Sequence, residues 1–261
     1  MSRGVIVDLD GTVYHGDSLL PGAGAALDSL RASGARLLFF SNNPTHDGGA
    51  YVERLREMGL GVDPGEACSA ADVTVEYLQA DHAGDAVFFI GDDGIADILS
   101  TNGVTLTDDP GAADVLLASW EPEFHYSDMV DALWAYDDDT TFLGTDPDRT
   151  FPSENGAVAP GSGAIINAVA GVIEAEPDRI LGKPSPEATR IALDRLDVPP
   201  TECLVVGDRL STDIAMGERA GMETVLVLTG ITDRADLVGS QIQPDHVIDS
   251  LADLDTVLDE S

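Results

Sequence analysis

The chain has 261 residues, 43% of them hydrophobic, enough to build two packed units. Forty-eight acidic residues face 13 basic ones, a formal net charge of −35. That balance excludes nucleic acid and anionic membrane surfaces as partners, because both are bound through Lys and Arg that displace counterions. No apolar run approaches the roughly 20 residues that span a bilayer. Gly4-Val5-Ile6-Val7 leads at once into Asp8 without the charged-then-apolar pattern of a signal segment, so a cytoplasmic location is expected.

In chain order, short apolar runs alternate with helical patterns, the mark of a parallel sheet with helices on both faces. Val5–Leu9 reads as a buried strand and Ala25–Ala32 as a helix closed by Gly34. Arg36–Phe40 is the second strand, and Tyr51–Met58 a helix ended by Gly59. Ser69 has the position of an N-cap for a helix running to about Asp81. Strands follow at Ala86–Ile90, Val115–Ala118 and Thr141–Leu143, with helices at Ile95–Ser100 and Ser127–Tyr136 between them. Ser162–Glu174 is helical, and Ser185-Pro186-Glu187 opens another helix with Pro at its first position. Cys203–Val206 and Thr224–Leu228 are buried strands, and His246–Ile248 an edge. Cys68 and Cys203 are the only cysteines. Cys203 lies in an apolar run, which favours a buried thiol over a bridge. The five histidines show no metal-ligand spacing and read as solvated or locally bonded.

Four segments carry chemistry. Asp8-Leu9-Asp10-Gly11-Thr12 follows the first strand directly, placing two carboxylates at the mouth of a parallel sheet, where ligands of such folds bind. Phe39-Phe40-Ser41-Asn42-Asn43 is a strand running into small hydrogen-bonding side chains. Gly182-Lys183-Pro184 holds the only lysine, against twelve arginines. An ammonium retained at that one place suits close approach to a phosphoryl oxygen. In Leu204-Val205-Val206-Gly207-Asp208, an apolar strand ends on a carboxylate, and Asp213 follows five residues later. Carboxylates at strand ends suit a hard, oxygen-preferring cation such as Mg²⁺.

These four motifs, in this order and across essentially the whole chain, resemble the haloacid dehalogenase-like superfamily of phosphohydrolases. Only 30 residues separate Asp10 from Ser41, whereas 141 lie between Ser41 and Lys183, so an inserted cap must fall in the second interval. That arrangement is similar to the class IIA, NagD-like and nitrophenyl-phosphatase-like enzymes. Thr229-Gly230, Pro244-Asp245-His246 and the stretch from Gly156 to Gly163 also look like that subclass.

The resemblance implies an α/β fold: a Rossmann-like parallel-sheet core (residues 1–70 and 180–261) with an inserted α/β type II cap (71–179). It implies a Mg²⁺-dependent phosphomonoester hydrolase acting on a small phosphorylated metabolite, a nucleotide monophosphate or sugar phosphate, and on nitrophenyl phosphate. Asp8 is then the nucleophile and Asp10 the general acid and base. The metal is held by Asp8, the Asp10 carbonyl and Asp208, with Asp213 in support. Gly11, Thr12, Ser41, Asn42, Asn43 and Lys183 bind the phosphate. A homodimer or higher oligomer would form through the cap.

Where relatives often carry Thr-Asn-x-Asp, this chain reads Thr145-Asp146-Pro147-Asp148. In place of a Gly-x-Asp-Arg-like turn it has Ala118-Ser119-Trp120-Glu121. Trp120 and Asp146 are therefore the candidates to face the leaving group, with cap packing the other role open to Trp120. A dehalogenase needs no second acid at position 10. A phosphonatase needs a cap lysine, which is lacking, and a phosphomutase needs a cap inside the 30-residue gap. Gly22-Ala23-Gly24 and Gly161-Ser162-Gly163 lack dinucleotide-binding spacing. The remaining alternative is a catalytically silent binding or assembly module on the same fold.

The acids are spread among periodic apolar segments, as on a folded surface adapted to concentrated salt, which points to a salt-loving source. At 1 M salt the Debye length falls to about 3 Å and self-repulsion is screened. Melting in molar KCl should therefore occur well above melting in dilute buffer. Equal melting temperatures would contradict a salt-adapted surface.

Overall fold

The computed structural model describes residues 3–152 and 157–258; of the segment from Gly156 to Gly163, Gly156 lies outside them. The chain forms two compact units. One comprises Met1–Ser41, Gly48–Cys68 and Ala188–Ser261; the other comprises Asn42–Asp47 and Ser69–Glu187.

In the first unit the strands lie in the order His246–Ile248, Glu223–Val227, Cys203–Gly207, Gly4–Val7, Arg36–Ser41, Ala67–Ser69. The pairings from His246–Ile248 across to Arg36–Ser41 are all parallel. A parallel sheet covered on both faces needs strands that are apolar throughout. Gly4–Val7 and Cys203–Gly207 are buried at every position. Val5, Val7, Leu37, Phe39, Leu204 and Val206 pack with Leu27 and Leu30 of the helix Ala23–Ala32, and with Val52 and Leu55 of the helix Gly48–Glu57.

The second unit has its own parallel sheet, ordered Arg179–Ile180, Thr141–Gly144, Val115–Ala118, Val87–Ile90. Its core joins Ile90, Leu116, Ala132 and Phe142 to Ile166 and Val169 of the helix Ser162–Ile173. The helix Ala70–Asp81 begins where its sequence signal lies. Asp72 N–H donates to Ser69 Oγ (3.3 Å) and the Asp72 carboxylate accepts from Ser69 N–H (2.7 Å), a complete capping box.

The differences from the sequence reading are short elements. Tyr14–His15 and Ser18–Leu19 form an antiparallel hairpin, and Thr150–Pro152 pairs with Val158–Pro160. Ala67–Ser69 and Arg179–Ile180 are edge strands. Two or three residues cannot display a period of two, so tertiary pairing decides such strands. Asp213 lies within the helical turn Leu210–Ile214, which runs directly into the helix Ala215–Ala220. Both cysteines are free and buried, as expected. Among the described residues, no helix is long and apolar enough to cross a membrane.

Candidate active site

Gly4–Val7 is the first strand in the chain and stands in the middle of its sheet, with Arg36–Ser41 on one side and Cys203–Gly207 on the other. Connections leave in opposite directions there, which opens a crevice at the carboxyl ends of the strands. Val7 pairs with Val206, and Asp8 N–H donates to Val206 O at 2.9 Å. The register therefore sets Asp8 opposite Gly207, with Asp208 one position further along, so that both acids lie just beyond their strands.

One oxygen from each of Asp8, Asp208 and Asp213 lies within 4.8 Å of the others. Asp208 and Asp213 are buried. Burial first, then the charges of Asp8 and Asp213, pushes the Asp208 carboxyl well above the usual carboxylate range. The protein offsets only part of this. Ile231 N–H donates to Asp208 Oδ2 (2.6 Å), while Arg209 N–H (3.2 Å) and the Thr212 hydroxyl (3.3 Å) donate to Asp213 Oδ2. Gly11 has φ +86°, and a Cβ there would stand 2.7 Å from Asp208 Oδ2, so both backbone conformation and space demand glycine.

The remaining first-unit residues hold these groups. Buried Thr12 donates its hydroxyl to Asp8 Oδ2 at 3.3 Å. Ser41, at the end of its strand, donates to the hydroxyl oxygen of Tyr51 at 3.1 Å, and burial pushes the Tyr51 phenol up to about 12. The Asp10 carboxylate is not part of the cluster; its Oδ1 lies 3.3 Å from His15 Nδ1. His15 Nε2 is 2.8 Å from Thr229 O, and the Thr229 hydroxyl donates to Gly11 O at 2.6 Å. His15 is thus locally bonded, as expected, but to a motif carboxylate. Only its place three residues after Thr12 signalled this.

In the second unit, Lys183 is 1% exposed. The Asn42 side chain grips its backbone from both sides: Lys183 N–H donates to Asn42 Oδ1 (2.8 Å), and Asn42 Nδ2 donates to Lys183 O (3.0 Å). Asn43 Oδ1 accepts from the Thr45 N–H (3.0 Å) and the Thr45 hydroxyl (2.8 Å), shaping its own loop. Both amides were expected at the phosphate, and these contacts engage them in backbone geometry. Asp146 is buried and accepts from Thr145 Oγ1 and Asp148 N–H, each at 3.1 Å, and from the Ser162 hydroxyl. Burial, reinforced by the Asp148 charge, raises its carboxyl to about 7. Trp120 is partly buried and stacks edge-on against Phe151, with centroids 6.1 Å apart, a cap-packing contact.

The Haloacid dehalogenase-like hydrolase model matches residues 5–105, and the HAD-hydrolase-like model matches residues 180–254. The sugar-phosphatase AraL of Bacillus subtilis is 31% identical over 98% of this chain and 93% of its own length. The chain belongs to the haloacid dehalogenase-like hydrolases. Among solved structures, p-nitrophenyl phosphatase from Archaeoglobus fulgidus superposes with a TM-score of 0.90 at 33% identity, covering 98% of this chain and 99% of that one. NagD from Escherichia coli K-12 gives 0.85 at 27% identity over 96% and 97%. A glycerol phosphate phosphatase from Mycobacterium tuberculosis in complex with magnesium gives 0.85 at 28% identity, over 97% of this chain and 76% of that one. Within the family, this chain is a class IIA, NagD-like phosphatase with an inserted cap.

Asp146 gives a pH signature. Its folded value of about 7 lies above the unfolded one of about 3.9, so the folded state holds more protons between those values. Its contribution to stability is therefore present below about pH 4 and lost as pH rises through 7. Asp146→Asn, an isostere without the charge, should melt close to wild type at pH 5 and clearly above it at pH 8. Parallel melting curves across that range would contradict the assignment.

Proposed function

We propose that the chain hydrolyses phosphomonoesters of small metabolites through an aspartyl-phosphate on Asp8, with Mg²⁺ as cofactor. The observation that carries this reading is the group of Asp8, Asp208 and Asp213 oxygens within 4.8 Å at adjacent strand ends. The set is all oxygen, partly desolvated and mutually repulsive, a fit for a hard divalent cation. We assign the ion to Asp8 and Asp208 with the Asp10 carbonyl, and Asp213 to support. When bound, it would neutralise the pocket's charge and let an anionic ester approach.

The residues divide the reaction as follows. Asp8 attacks phosphorus, forming an O–P bond as the ester C–O–P oxygen departs. The Thr12 hydroxyl on Asp8 Oδ2 holds the carboxylate for this. Asp10 delivers a proton to the departing oxygen, then takes one from the water that hydrolyses the aspartyl-phosphate, restoring both acids. Ser41 and Lys183 hold the transferring phosphoryl oxygens, with Gly11, Thr12, Asn42 and Asn43 completing the phosphate cradle. For Asn42 we place the contribution in its clamp on the Lys183 backbone. Residues 1–70 and 180–261 form the catalytic part, and 71–179 the cap that sets specificity. The sugar-phosphatase and glycerol phosphate phosphatase names of relatives support a small polyol or sugar phosphate as substrate, and the nitrophenyl phosphatase supports an aryl ester as a test substrate.

Asp8→Asn should abolish turnover of 4-nitrophenyl phosphate while leaving the melting temperature in molar salt near wild type. In the wild type, EDTA should stop turnover, Mg²⁺ restore it and Ca²⁺ inhibit. Activity above about one per cent in the variant, or full activity after exhaustive chelation, would overturn the reading. Lys183 carries a separate expectation. Removing one preorganised donor costs ~10²–10³ in turnover, and the arginine fork does not reproduce a compact ammonium. Lys183→Arg should lose at least about tenfold in kcat, and Lys183→Ala at least about a hundredfold. A wild-type rate for Lys183→Arg would remove Lys183 from catalysis.

A further inference from the structure

We infer that His15 is a positioning residue for Asp10, holding its carboxyl where a proton is delivered to the departing oxygen. The inference rests on the reading of Asp10 as general acid. His15 bridges two fixed points: Nε2 lies 2.8 Å from Thr229 O, and Nδ1 lies 3.3 Å from Asp10 Oδ1. A carbonyl oxygen only accepts, so Nε2 carries the hydrogen and that bond sets the ring orientation; Nδ1 then either accepts from the protonated Asp10 carboxyl or, in the imidazolium, donates to the carboxylate. The other end of the ring is then presented to Asp10, the arrangement by which a fixed backbone carbonyl orients an imidazole toward its working partner.

The scaffold under His15 is rigid in a way that a surface histidine does not require. His15 sits in a hairpin with register Tyr14↔Leu19 and His15↔Ser18. Arg54, from the helix Gly48–Glu57, donates to Gly16 O (2.8 Å) and Asp17 Oδ1 (3.3 Å) at the hairpin turn. Its guanidinium also lies 5.0 Å from the centroid of the Tyr14 ring, which is buried. Thr229 is tied back to the motif by its hydroxyl on Gly11 O. The Asp10 side chain is half exposed, at 53%, and His15 is its only hydrogen-bond partner among the described residues. Without the imidazole this carboxyl would sample several rotamers, and small misplacements of a catalytic group are costly.

The test compares kcat/KM, which reports phosphoryl transfer to Asp8, on glycerol 3-phosphate and on 4-nitrophenyl phosphate. An alkoxide needs a proton as it leaves, whereas nitrophenolate departs readily without one, so misplacing the acid penalises the alkyl ester selectively. His15→Ala should lower the alkyl-to-aryl ratio of kcat/KM by about tenfold or more. His15→Asn, whose amide reaches the Nδ1 position, should recover part of that ratio. Because both esters are measured on one preparation, a loss of folded protein cancels. Asp10→Asn run alongside separates the two readings. If Asp10→Asn lowers the ratio and His15→Ala leaves it unchanged, the role of His15 is overturned while that of Asp10 stands. If Asp10→Asn leaves the ratio unchanged, Asp10 is not the acid and the inference falls with it.

Discussion

Three carboxylates crowded at the ends of two neighbouring parallel strands are the constraint on which this site depends. Like charges a few ångströms apart in a partly desolvated place repel one another strongly, and Asp208 shows the consequence in its raised carboxyl. Such an arrangement persists only because the surrounding fold imposes it. The register of Val7 on Val206 places Asp8 and Asp208, and the turn Leu210–Ile214 brings Asp213 back onto them. Side chains are withheld where they would collide, since a Cβ at Gly207 would meet Asp213 and one at Gly230 would meet Asp208. Main-chain donors at Arg209 and Ile231 orient the acids without neutralising them.

The same logic runs through the rest of the molecule at lower intensity. With 12 arginines against 48 acids, most carboxylates have no cationic partner available. Some arginines join distant segments: Arg31 holds Glu66 bidentately at 2.7 and 2.6 Å, and Arg3 pairs with Glu223. Arg54 spans from its helix to the hairpin that carries His15. Exposed pairs contribute little individually.

Asn42 illustrates how a motif side chain can order backbone far away in the sequence. An amide presents one donor and one acceptor side by side, the same pattern as a peptide edge. It therefore pairs with the Lys183 backbone much as a neighbouring strand would, and this orders a segment that has no strand of its own. The lone lysine thus has its backbone pinned before any ligand arrives. Asp146 is buried, and burial together with the Asp148 charge raises its carboxyl to about 7, so it keeps its proton over much of the acid range.

Much of this was legible in the order of residues. Continuous apolar runs ending in Asp8 and Asp208 declared a parallel sheet with acids at its mouth, because strands buried on both faces admit no alternation. The 141-residue interval before Lys183 required an insertion, and Ser69 marked a helix start by its hydroxyl and the acid three residues on. These signals are local, or depend only on spacing. What tertiary structure alone decided was partnership: Asp213 with Asp8 and Asp208, Asn42 with the Lys183 backbone, and His15 between Asp10 and Thr229. Those contacts join positions up to 214 residues apart. No local propensity encodes them, because they arise only when tertiary folding brings segments far apart in the sequence together.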